Sequence, residues 1–170
     1  MPDDHDAMLR SWRENAAREE DANFRFLRSL KLVPNPANID SQARQLHEEV
    51  FARIDCTRCA NCCKTMPPGF TNEDIERIAA HLGMSSEEFV AVYLEIDPLM
   101  GDLQTKAVPC PFLGGDDRCT IYAVRPQACR DFPHTDKEGF RTRVYQHTAN
   151  TLSCPAVYHL VKRLRRRRRR

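Results

Sequence analysis

The stretch CTRCANCC, residues 56–63, places four cysteines in eight positions and constrains the fold of this 170-residue chain more than any other feature. Cys56, Cys59 and Cys62 recur at every third residue, a spacing that lets one tight loop aim successive sulfurs at a common metal. Cys63 follows directly. Adjacent side chains diverge in extended chain and in turns, so Cys62 and Cys63 are expected to serve different metals, or two metals of one compact cluster. Cys110, Cys119, Cys129 and Cys154 lie far along the chain and supply the remaining donors. Eight thiols divide into two four-coordinate centres or one multinuclear site with spare thiols nearby. Spacing does not separate zinc from iron or from an iron–sulfur cluster.

The compartment bears on this reading. The start, MPDDHDAMLR, has neither the basic nor the apolar region of a signal peptide, and no apolar run approaches the length of a membrane span. The expected location is the cytoplasm, where thiols stay reduced and cysteines serve metals or redox chemistry rather than disulfides. Four disulfides would need an oxidising compartment and a higher cysteine content, and eight unrelated buried cysteines do not fit the 3-3-1 spacing. A Cys/His nucleophile using His134 or His147 has no feature that pairs either ring with a thiol.

Hydrophobic residues at 41% and charged residues at 29% indicate a folded protein with one core plus appendages. The expected fold is mainly α with one small β-hairpin, a loop-rich cysteine-cluster domain stabilised by metal. It divides into an N-terminal helix and linker (1–38), the metal-binding domain (39–160) and a basic tail (161–170). A long amphipathic helix is predicted over 5–31, with Leu9, Trp12, Ala16, Phe24 and Leu27 on its stripe and the prolines of VPNPAN ending it. A second helix runs from about 40 to 54, burying Ala43, Leu46, Val50 and Ile54. Capping boxes at Thr71/Asp74 and Ser85/Glu88 open two more. The first closes at Gly83; the second carries Phe89, Val92, Tyr93 and Ile96 inward and stops at Pro98. Gly114-Gly115-Asp116-Asp117 suggests a hairpin-like turn that brings Cys110 and Cys119 together. Arg125-Pro126 opens a helical turn carrying Cys129, and Cys154-Pro155 starts a helix with Val157, Leu160, Val161 and Leu164 inside.

Charge is unevenly placed. The net charge is +2, yet residues 162–170 hold eight of the 26 basic residues and no acid, leaving the remainder with 18 basic against 24 acidic residues. The Arg165–Arg170 run is a candidate for non-specific contact with nucleic acid or another acidic partner, and its mutual repulsion predicts a frayed end. Arg58, Lys64, Lys106, Arg118, Arg125 and Arg130 lie close in sequence to the cysteines and could offset thiolate charge.

The set CTRCANCC, CPFLGGDDRCTIYAVRPQACRDFP and a late SCP resembles the YkgJ-type cysteine-cluster family, a zinc- or iron-chelating domain with the signature CxxCxxCC, over roughly residues 52–156. The resemblance implies that Cys56, Cys59, Cys62, Cys63, Cys110, Cys119, Cys129 and Cys154 are the chelating set. Association of some relatives with lysine N-methylation of flagellin would imply an enzyme. Against that, this sequence has six glycines, no GxGxxG run and no βαβ alternation to bind a nucleotide donor. Enzymatic chemistry would have to occur at an incompletely ligated metal, with Asp131, His134, Tyr122 or Tyr145 at hand.

Overall fold

A computed structural model describes residues 4–168. In chain order the elements are α1 (Asp4–Ser29), α2 (Pro36–Phe51), α3 (Cys56–Cys59), α4 (Asn61–Thr65), β1 (Gly69–Phe70), α5 (Asn72–Leu82), α6 (Ser86–Tyr93), β2 (Leu94–Ile96), β3 (Leu103–Thr105), α7 (Gln127–Asp131), α8 (Val144–Ser153) and α9 (Pro155–Arg167). The protein is mainly α with a small antiparallel sheet of order β1-β3-β2. The chain forms two compact units, one from Met1–Cys56 with Pro133–Arg170 and the other from Thr57–Phe132.

In the first unit α9 packs on α1, α2 and α8. With neighbours on several sides it buries more than one stripe, and Ala156, Val157, Tyr158, Leu160, Val161 and Leu164 are all inaccessible to solvent. Each such Val or Leu contributes about 1.5–3 kcal/mol on burial. Trp12 and Ala16 of α1 close on Tyr158, and the indole Nε1 donates to the Thr151 carbonyl at 2.9 Å. On α1 the inward positions include Asn23, while Phe24 is half-buried and meets the Tyr145 ring at a tilt, 5.6 Å between centroids. The helix α2 begins earlier than the proline pattern implied. Asn35 caps the Asn38 amide and Pro36 occupies the first turn, where its missing N–H costs nothing.

The sequence left α8 unassigned. Its buried face holds Val144, His147, Thr148, Asn150 and Thr151, so its pattern is too polar to read as a core helix. The basic end also departs from the frayed tail. The helix α9 continues to Arg167 because acids on α1 and α2 meet its cations. Glu19 accepts from Lys162 Nζ at 2.9 Å and Arg165 Nη2 at 2.8 Å, and Glu49 pairs with Arg163 and Arg167. Arg169 and Arg170, the end of the predicted tail, lie outside the described residues.

In the second unit α5 and α6 begin at the two capping boxes as expected, and Gly83 closes α5 at φ +71°. The helix α6 ends at Tyr93, however, and the chain turns extended as β2 against β3, with Leu94 opposite Thr105 and Ile96 opposite Leu103. Leu94 therefore takes the buried place, and Val92 and Ile96 are exposed. The sheet comes from these segments. At 110–119 the predicted turn forms with a single antiparallel bridge, Leu113 to Cys119. The core joins Phe70, Ile75, Ile78, Phe89, Leu94, Phe112 and Ile121, with the Phe89 and Phe112 rings stacked at 6.0 Å. Cys110 is part of that core.

Candidate metal centre

The cysteine run folds as two short helical turns. Cys56 and Cys59 are the ends of α3, and Cys62 and Cys63 lie in α4. Between them Ala60 takes a left-handed conformation, φ +48°, which reverses the chain so that α4 can start. A non-glycine residue there costs about 1 kcal/mol. Successive residues of a helix are about 100° apart, so Cys62 and Cys63 diverge less than in a strand. The Cys62 thiol hydrogen-bonds the Cys63 sulfur.

Three further segments reach Cys63. The Cys110 amide donates to the Cys63 carbonyl at 2.8 Å, fixing the segment after β3 beside α4. The chain then reverses through Gly114, whose amide donates to the Arg118 carbonyl at 2.8 Å, and this returns Cys119 beside Leu113. Glycine leaves room there, since a Cβ would stand 2.9 Å from Asp116 Oδ1 and 3.2 Å from the Arg118 carbonyl, and both would have to give way. Lys64 Nζ donates to Asp117 Oδ2 at 2.6 Å, tying the reversal to α4. Cys129 arrives on α7, anchored where the buried Asp74 carboxylate accepts the Gln127 amide at 3.0 Å.

The Cys63, Cys110, Cys119 and Cys129 thiols influence one another's charge. The hydrogen bond from Cys62 holds Cys63 down to about 7, helped by its own amide and by the Lys64 ammonium against the effect of burial. Burial pushes Cys110 up to about 11, and the Cys63 and Cys119 charges add to it. Burial likewise pushes Cys129 up to about 12, reinforced by Cys63, Cys110 and Cys119 and opposed by Arg125. Cys119 is raised by burial and by Cys63. Cys110 is buried and Cys63, Cys119 and Cys129 are half-buried; thiols that raise the cost of one another's charge are donors of the kind that suit a soft cation, which would remove that repulsion.

All eight cysteines are present as thiols rather than disulfides. Cys59 and Cys62 lie in the same unit as the four, while Cys56 and Cys154 fall in the other. Among the described residues no three His, Cys, Asp or Glu side chains are already arranged to hold a metal ion. Of the cations noted in the sequence, Lys64 and Arg125 act on the cysteines; Arg125 stacks over Tyr122 at 3.9 Å. Arg130 instead bonds the Arg125 and Ala123 carbonyls, Lys106 bonds the Ala91 carbonyl, and Arg58 and Arg118 are exposed. Sequence reasoning missed Asp74 and Asp117 as supports; the capping box marked Asp74, but nothing local marked its reach to Gln127.

A mainly helical protein that brings most of its cysteines from separated segments into one small unit has the pattern of a cysteine-cluster domain. Residues 55–155, more than half of the chain, match the family CxxCxxCC, described as "Putative zinc- or iron-chelating domain", and the chain belongs to that family. It is also similar to an uncharacterised protein of Methanocaldococcus jannaschii, 32% identical over 82 residues, which are 47% of this chain and 44% of the relative. The match thus spans less than half the length of that relative. No solved structure matches the chain. Among the described residues, no helix is long and apolar enough to cross a membrane.

Proposed function

We propose that this protein chelates zinc or iron through its eight cysteines, and that Cys63, Cys110, Cys119 and Cys129 hold one metal within the unit Thr57–Phe132. The mutual electrostatic influence of these four thiols, brought from three separate segments, carries the reading. Thiolates suit either metal, and the ion would supply the charge neutralisation that the buried thiols lack. The hydrogen bond between Cys62 and Cys63 favours metals held close together, in one compact cluster, over two remote sites. The metal's first role is to hold together the separate segments that carry these cysteines.

The test is metal analysis, with an absorption spectrum, of protein purified without oxygen. About two zinc per colourless chain, or a brown protein with sulfide-to-iron absorption, is the expected result, and either identifies the metal. Chelation is then expected to lower the unfolding temperature, and Cys129→Ser to lower metal content. Unchanged thermal stability after complete metal removal overturns the organising role, and full metal content in the Cys63→Ser, Cys110→Ser and Cys129→Ser variants overturns the assignment.

A further inference from the structure

The hairpin β2–β3 has an open edge. β2 lies at the end of the order β1-β3-β2 and pairs only with β3. Tyr93 accepts from the Lys106 amide and Asp97 donates to the Asp102 carbonyl, so the alternation of an antiparallel ladder turns Tyr93, Glu95 and Asp97 toward β3. Leu94 and Ile96 then direct their backbone groups outward. The Leu94 amide is used by the Val90 carbonyl of α6, which leaves the Leu94 carbonyl and both backbone groups of Ile96 for an added strand.

The same edge carries apolar surface that is exposed among the described residues. Val92 is 56% exposed, Ile96 67%, Met100 75% and Leu99 91%. Its surroundings are mainly acidic, with Lys106, at the far end of the ladder, turned to the Ala91 carbonyl. Residues 78–105 contain Glu87, Glu88, Glu95, Asp97 and Asp102 and neither lysine nor arginine, in a chain that has 26 of those bases. Exposed apolar side chains along an unpaired strand are ordinarily guarded by lysine, and Leu94–Ile96 itself carries none.

We infer that β2 is a docking edge for an extended segment of another protein that alternates apolar with basic side chains. The segment adds as a further strand beside Leu94–Ile96. Its apolar residues lie on Ile96, Leu99 and Met100, and its cations face Glu95, Asp97 and Asp102. A second copy of this chain is the poorer occupant. Antiparallel pairing about Glu95 would set the Glu95 carboxylates of the two copies beside each other, and like charges in that position are destabilising. The inference does not depend on the metal reading.

The test uses the full chain and fluorescein-labelled peptides of sequence Lys-Val-Lys-Val-Lys-Val-Lys, read by anisotropy at low salt. Three probes are compared: that peptide, its analogue N-methylated at alternate residues, and Glu-Val-Glu-Val-Glu-Val-Glu. Binding of the first with at least about tenfold weaker binding of the other two is expected, because both the ladder and the charge contribute. Ile96→Lys and Glu95→Lys, both at exposed positions, are each expected to weaken the first peptide about tenfold or more while leaving the circular dichroism spectrum unchanged. Equal affinity for the methylated peptide overturns strand addition, as does absence of binding by the basic peptide. A wild-type dimer in sedimentation that Ile96→Lys dissolves assigns the edge to a second copy and overturns the proposed partner.

Discussion

Removing the Asp74 carboxylate should cost more than a helix cap is worth, because this side chain joins the α5 cap to the segment that carries Cys129. Asp74 is 1% exposed. Its Oδ2 accepts the Thr71 amide at 3.2 Å, completing the capping box, and its Oδ1 accepts both Arg77 Nη2 at 2.5 Å and the Gln127 amide at 3.0 Å. In Asp74→Ala the cap loss is about 1 kcal/mol. The Gln127 amide, left without an acceptor, adds about 1–3 kcal/mol. The Arg77 pair adds under about 1 kcal/mol, since that guanidinium is partly solvated. The expected loss is about 3 kcal/mol, or about 6–12 °C in unfolding temperature for a chain of this length. Thr71→Ala is the control. It removes the hydroxyl that accepts the Asp74 amide and keeps the Gln127 bond, so it should cost only about 1 kcal/mol.

Urea unfolding followed by circular dichroism measures both variants. Burial alone would raise the Asp74 carboxyl, but Arg77 and the Thr71 and Gln127 amides hold it below its ordinary 3.8. A depressed carboxyl contributes stability that is present above that value and lost as pH falls through the lower folded value. The gap between wild type and Asp74→Ala should therefore be flat from pH 7 to about 4.5 and shrink at more acid pH. Since α7 hangs on this bond, chelator competition should also show metal affinity reduced by about tenfold. The reasoning is refuted if Asp74→Ala costs no more than Thr71→Ala, or if the gap is unchanged at pH 2.5.

Two other perturbations test the helical unit. Burial, aided by Arg143 and His134, depresses His147 from 6.5 to about 4, so its contribution is complete above pH 6.5 and is lost as pH falls toward 4; thermal melts should show about 3 kcal/mol of acid sensitivity over that window, which His147→Leu abolishes. An unchanged acid slope in His147→Leu would assign the sensitivity to other groups. Glu19→Gln breaks the pairing with Lys162 and Arg165, whose side chains are 17% and 14% exposed, and is expected to cost about 1–2 kcal/mol in urea unfolding at low salt and less at 1 M salt. A cost independent of salt would mean that the charges are not what Glu19 contributes.

What could be read in the sequence is what neighbouring residues settle among themselves. The Thr71/Asp74 and Ser85/Glu88 boxes satisfy their helix amides within four residues, so their motifs sufficed. The regular spacing of Cys56, Cys59 and Cys62 is local in the same sense. By contrast, Val92 and Ile96 keep helical spacing, yet pairing with Leu103–Thr105 turns the chain extended, and that partner cannot be seen from α6. Consecutive arginines repel each other, and only Glu19 and Glu49, more than a hundred residues away in sequence, explain why α9 continues through them. Cys63 is the same case within the site. Its neighbours predict only that it diverges from Cys62, whereas the segments that carry Cys110, Cys119 and Cys129 are held by the Cys110 amide on its carbonyl, the Lys64–Asp117 pair and the Asp74 anchor under α7. An adjacent pair of cysteines thus marks a candidate ligand cluster, but which sulfurs can meet depends on the distant loops that close on it.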